Sequence, residues 1–180
     1  VFEWNSAAAG AENIRASIIT GAPTASRHML VSTPDRHLVF FGTETTIGDT
    51  STQDDMFIRF SDQEDINTYA PSAINTAGTL RLQDGTKIMG AIKAKEVILV
   101  WTDNALYTMK FIGAPFTFGL EQVGTNCGLI GKNAVVEIDG AGPVGYKVAV
   151  LREPGDRRGQ RRLQVIVILQ LKHAIHEVGT

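Results

Sequence analysis

The sequence predicts an all-β chain of antiparallel four-stranded blades, a β-propeller-like fold that is incomplete, with two to three blades. Three observations carry this. Short runs rich in Val, Ile, Phe, Trp and Thr recur along most of the chain and end at Gly, Pro, Asn or Asp, the punctuation of strands and turns. Several runs are apolar on both faces, which requires a layer on either side. Finally, Ala-Pro recurs at strand exits as Ala22-Pro23, Ala70-Pro71 and Ala114-Pro115, at intervals of 48 (70 − 22) and 44 (114 − 70) residues. A unit of roughly 46 residues holding about four short strands has the size of a propeller blade, which needs stacked neighbours to bury its faces.

In chain order, Val1 to Trp4 reads as a strand, followed by the small-residue connection NSAAAGAEN and a strand-like Ile14 to Thr20 that ends at Gly21-Ala22-Pro23. His28 to Ser32, the turn Thr33-Pro34-Asp35-Arg36 and His37 to Phe41 form a hairpin whose second arm, HLVFF, is apolar on both faces. Thr43 to Asp55 is polar and predicts a surface loop. Met56 to Phe60 is a short strand, SDQED a charged turn, Ile66 to Ala70 another short strand, and Ser72 to Gly85 a long connection. Lys87 to Ala94 is a strand.

Glu96 to Ile112 gives the clearest hairpin. Val97 to Thr102 is apolar on both faces, Asp103-Asn104 supplies two residues tolerant of positive φ, and Leu106 to Ile112 alternates more loosely, as expected nearer solvent. Phe116 to Val123 and Lys132 to Asp139 complete the strands, and no helical stripe competes. Gly-Ala-Pro in ITGAPTA recurs in KFIGAPFT at an offset of 92 (113 − 21), and IRFSD, ending at Asp62, pairs with LVWTD. Neither a Gly-His/Trp-Asp nor a kelch double-glycine signature is present.

At 180 residues and 43% hydrophobic, the chain can bury a sizeable core. A formal net charge of −2 gives no global attraction to nucleic acid or anionic membrane. The single cysteine, Cys127, excludes an internal disulfide or a cysteine-rich zinc site, which suits a reducing compartment. There is no run of about 18 apolar residues for a membrane span. The chain opens at Val1 inside a strand-like stretch without an initiating Met, which suggests a piece of a longer protein.

Few motifs suggest chemistry. SDQED (Ser61 to Asp65) offers oxygen ligands for Ca²⁺, but it lacks the alternating spacing and glycine of an EF-hand loop, so a solvated turn is the simpler account. His28 and His37 can face each other across their hairpin as surface or rim residues, and two histidines without a third ligand make no metal site. Cys127, with no basic neighbour or helix start, reads as a small buried hydrophobe. GLIGKN (Gly128 to Asn133) departs from the phosphate-loop spacing. REPGDRRGQRR carries five Arg between Arg152 and Arg162 and can meet phosphates or serve as a connector. No catalytic, cofactor or metal residues are assigned, and an enzyme is the disfavoured reading.

From about residue 27 to 140 the chain resembles a virion protein of short-tailed and related double-stranded DNA bacteriophages. The resemblance rests on STPDRHLVFFG, FIRFSDQEDINTYAPSAINTAGTLRL, ILVWTDNALYTMKFIGAPFTFG and GTNCGLIGKNAVVEIDG. It implies a propeller-bearing tail component of the nozzle or hub kind, present as several copies in a ring beneath the portal, contacting portal and tail proteins and helping to retain packaged DNA. The implied location is the virion, assembled in the bacterial host cytoplasm. The resemblance stops at the IDG that ends at Gly140. Residues 1–140 are therefore expected to be blades, and 141–180 a distinct tail of altered composition, as a shifted frame or chimeric read would give. The alternative to a tail component is a propeller module that binds a glycan or protein through its loops.

Overall fold

The structure, a computed structural model, describes residues 1–8, 10–33, 35–94, 97–113, 115–132, 134–138, 147–152 and 164–168. It is all-β and antiparallel, and its only helical elements among the described residues are two single 3₁₀ turns, Ala11–Asn13 and Thr50–Thr52. Among the described residues no helix is long and apolar enough to cross a membrane.

β1 (Phe2–Glu3) and β2 (Ser17–Ile18) form a two-stranded ribbon. The first blade-like sheet runs β3 (His28–Ser32), β4 (His37–Phe41), β5 (Phe57–Phe60) and β6 (Gly78–Arg81). The second runs β7 (Ile88–Lys93), β8 (Ile98–Thr102), β9 (Leu106–Gly113) and β10 (Thr117–Gly124). β11 (Val135–Ile138), β12 (Lys147–Arg152) and β13 (Gln164–Ile168) form a third, three-stranded sheet. In each of these three sheets the spatial order is the chain order, and none closes on itself. β13 lies within the apolar run LQVIVILQL and pairs with β12.

The doubly apolar arms explain the stacking. Every residue of β4 and of β8 is buried, because each is an inner strand with a layer on both faces. Val39, Phe41, Ile58 and Phe60 meet Ile98, Val100, Tyr107 and Met109 in one core between the first two sheets. The opposite face of β4, Leu38 and Phe40, packs on Ile19, Ala22 and Tyr69. The opposite face of β8, Leu99 and Trp101, packs on Leu106 of β9 and on Leu129 of the segment leading to β11. Fully burying one such side chain is worth about 1.5–3 kcal/mol, so these layers supply most of the driving force. The sheets approach one another along their first strands, β3 against β7 and β7 against β11, as blades do when they radiate from a common axis.

Several expectations are corrected. Ile66 to Ala70 is not a strand: the Asp65 carboxylate accepts from the Asn67 amide and the Thr68 hydroxyl and turns the chain locally. Ser72 to Gly85 is not all connection, since it contains β6. The signal was hidden because β6 begins with a glycine, and it must: a Cβ on Gly78 would sit 2.5 Å from the Phe60 ring opposite. Thr43 to Asp55 is not wholly superficial, because Thr43 and Glu44 are completely buried. The β8–β9 turn does fall at Asp103-Asn104, yet neither residue has positive φ. Instead Thr102 Oγ1 accepts from the amides of Asn104 (3.1 Å) and Ala105 (2.7 Å). β9 is an inner strand rather than a solvent-side one, with Leu106, Tyr107 and Met109 buried.

The repeat also needs re-phasing. Pro71 and Pro115 each lie between the third and fourth strands of their sheets, whereas Pro23 precedes the first strand of its sheet. IRFSD is a third strand and LVWTD a second, so the counterpart of LVWTD is HLVFF. Proline marks where a chain leaves a ladder, whichever strand it leaves.

Candidate functional site

The most concentrated polar chemistry lies between the first two sheets, around His37 at the start of β4. His37 has no solvent exposure, and Asp35 and Ser32 are buried beside it. This corrects the surface or rim reading for His37, whereas His28 is half-buried at the rim of a groove. In the β3–β4 register His28 stands opposite Phe41 and His37 opposite Ser32, so the two rings occupy opposite ends of the hairpin. His28 instead donates from Nε2 to the carbonyl of Ala91 in the second sheet, at 2.9 Å.

A chain of hydrogen bonds converges on Thr76, in the loop before β6. Its hydroxyl donates to Asp62 Oδ1 at 2.6 Å and its amide donates to the same oxygen at 2.8 Å. With that proton committed, Thr76 Oγ1 can only accept, from the Gln63 amide at 2.9 Å and from His37 Nε2 at 3.0 Å. The neutral ring therefore carries its proton on Nε2. Nδ1 lies 3.2 Å from Asp35 Oδ2 but has no partner in hydrogen-bond geometry. Asp35 accepts from Ser32 Oγ instead, at 2.8 and 2.9 Å.

Proximity alone would make His37 and Asp35 an ion pair. Burial outweighs it: desolvation pushes the His37 pKa below its ordinary 6.5, against the opposing pull of Asp35 and Asp62. The ring sits among Phe60, Phe111 and Phe118, with centroids 6.2, 5.7 and 5.2 Å away, which accounts for the desolvation. Thr76 also reaches the second sheet, since its carbonyl accepts from Thr117 Oγ1 at 3.0 Å. Holding that bond places Thr117 at φ 56°, an uncommon conformation for a β-branched residue.

A hydroxyl, an imidazole and a carboxylate in sequence have the composition of an acyl-transfer triad, but the geometry does different work. The Thr76 proton is aimed at Asp62 and not at the ring, and the ring is sealed beneath three phenylalanines. The arrangement is a brace that joins the β3–β4 turn, the 62–76 loop and the start of β10. Beside it opens a cleft of about 310 Å³ lined by Ser32, Asp35, Lys93, Ile98, Met109 and Phe111 among others.

A second buried polar anchor went unnoticed in the sequence. Glu44 accepts from the amides of Thr24 (2.8 Å), Ala25 (2.9 Å) and Gly48 (2.7 Å) and from the Thr24 hydroxyl. Burial raises its pKa, yet these donors more than offset that, and the net shift is downward. Nearby, the buried Arg59 guanidinium donates to the carbonyls of Glu44, Thr45 and Tyr69 and lies 5.5 Å from the Phe57 ring centre. A Glu in a Thr-rich segment gives no local sign of such a role.

The remaining motifs resolve into structure. In SDQED, Asp62 and Asp65 serve the turns just described, and Glu64 pairs with Arg36 at 3.0 Å on the surface. Among the described residues no group of three or more His, Cys, Asp and Glu is placed to hold a metal ion. In GLIGKN, Gly128 lies where a Cβ would come within 1.9 Å of the Asp103 carbonyl oxygen, and the Cys127 and Leu129 amides donate to the carbonyls of Asn104 and Thr102. The segment thus docks on the β8–β9 turn. Cys127 is half-buried, and burial raises its thiol pKa. Of the Arg-rich run only Arg152, at the end of β12, falls among the described residues; Glu153 to Arg162 lie outside them. No protein-family profile and no curated protein matches the chain.

Proposed function

We propose that this chain is a structural component of a bacteriophage tail, of the nozzle or hub kind, whose blades help to close the tail channel and retain packaged DNA. The observation that supports it most is the stack of antiparallel sheets approaching through β3, β7 and β11, an architecture suited to surrounding an axis. The resemblance over residues 27–140 supplies the virion context. Three buried polar groups, His37, Glu44 and Arg59, brace loops against sheets, which suits a component of a rigid ring. Its partners on this reading are further copies in a ring together with portal and tail proteins. The test is to co-express the full open reading frame with the portal and tail genes beside it, and to image purified particles carrying an epitope tag on this protein. Label at the tail vertex is expected; particles free of the protein refute the reading.

One observation favours the alternative of a binding module. Phe116 is 74% exposed and Ile112 55% exposed at the connection from β9 to β10, an apolar tip suited to a protein partner. A secretion signal upstream of Val1 in the complete gene would favour this second reading over the first.

A further inference from the structure

We propose that the groove at the junction of β3 and β7 is an anion site that takes a phosphate-bearing ligand. The groove encloses about 550 Å³ and is lined by Arg27, His28, Asp55, Lys87, Met89 and Lys132, with Ser26 and Ile88 completing its walls. Its permanent charges are three cations and one carboxylate, a local excess of two positive charges on a chain whose formal charge is −2.

The charges are arranged as well as counted. Asp55 binds Arg27 in a bidentate fork, Nε to Oδ1 and Nη2 to Oδ2, both 2.9 Å. That fixes the guanidinium and leaves it further N–H donors. Lys87 and Lys132 are exposed and have no carboxylate partner among the described residues. They reach the groove from separate elements, the residue before β7 and the segment before β11. The walls are fixed: the Arg27 amide donates to the Phe41 carbonyl, the Ile88 amide to the Asp55 carbonyl, and His28 Nε2 to the Ala91 carbonyl. An ion-paired guanidinium and two exposed ammonium groups lining one groove from separate elements match a tetrahedral, multiply charged oxyanion better than a single carboxylate. Positive charge focused in a groove raises the local concentration of such a ligand even on a chain of opposite net sign.

The groove's chemistry does not depend on the tail assignment, so its test is separate. Inorganic pyrophosphate is titrated calorimetrically into the full chain, and the same titration is run on K87Q/K132Q and on the control K110Q, which changes a lysine elsewhere on the surface. Saturable binding is expected, weakened about a hundredfold in the double variant and unchanged in K110Q, because each of the two lost charged contacts typically carries about a factor of ten. A second arm adds a short DNA duplex. Duplex binding displaced by pyrophosphate identifies a nucleic-acid backbone as the source of the phosphate, whereas pyrophosphate binding without duplex binding identifies a small free anion. Absence of saturable pyrophosphate binding, or equal affinity in wild type and K87Q/K132Q, overturns the proposal.

Discussion

Replacing Glu44 isolates a buried carboxylate whose role is entirely local bracing. In Glu44→Ala the amides of Thr24, Ala25 and Gly48 lose their acceptor, and the buried Arg59 loses the nearest negative charge acting on it. An unsatisfied buried donor costs about 1–3 kcal/mol. Thr24 and Gly48 belong to exposed residues and can recover water, whereas Ala25 is half-buried. A total loss of about 2–4 kcal/mol is therefore expected, with Arg59 pushing it toward the upper end. Glu44→Gln keeps one oxygen acceptor and should cost about 1–2 kcal/mol. The pH dependence has a definite sign. The Glu44 pKa is lower in the folded chain than its ordinary 4.5, so its contribution is complete above that value and is lost as pH falls through the depressed folded value. Urea unfolding of the full chain at pH 7 and again near pH 3 measures both effects, and Glu44→Gln should flatten the acid limb. Stability of Glu44→Ala within about 0.5 kcal/mol of wild type at pH 7 would refute the reasoning, because that is the range of an ordinary surface change.

Trp101 is 1% exposed between β8 and the 127–135 segment, so Trp101→Ala should cost about 3–5 kcal/mol, and an unchanged melting temperature would contradict that packing. Gly128→Ala places a methyl against the Asp103 carbonyl and should destabilise by about 1–3 kcal/mol in urea unfolding, whereas Gly131→Ala, with open space around it, should change little. The His37 pKa is lowered on folding, so its contribution is whole above the ordinary 6.5 and declines as pH drops from there toward the folded value. Melting curves between pH 7.5 and 5 should show that slope in wild type and lose it in His37→Gln. Residues 141–180, read from the sequence as a tail distinct from the blades, are expected to be dispensable. Deleting 147–180 should leave the melting temperature within about 4 °C, and a larger fall would show that pairing of β12 with β11, and of β13 with β12, stabilises the blades.

The sequence by itself determined where the central strands run. His28–Ser32 and His37–Phe41 coincide with the stretches expected, and the turn at Asp103-Asn104 falls in place, because β-propensity, turn residues and apolar alternation are properties of neighbouring residues. The double apolar faces of HLVFF and ILVWT also revealed the layering, since a strand can be apolar on both sides only when both are covered. What the tertiary structure decided are the places where a residue's role is set by a partner far along the chain. His37 is a buried brace because Thr76 lies across from it 39 residues later, and Glu44 is an anchor because Thr24, 20 residues earlier, folds back on it. β6 is a strand because it pairs with β5, where the Phe60 ring fills the space a side chain on Gly78 would need, and Gly128 is a docking point because the Asp103 carbonyl occupies the space a Cβ would need. Local pattern cannot specify these positions, since a buried polar group is tolerated only once distant donors and acceptors have closed around it, and a glycine's absent side chain has meaning only against the atoms that fill its space.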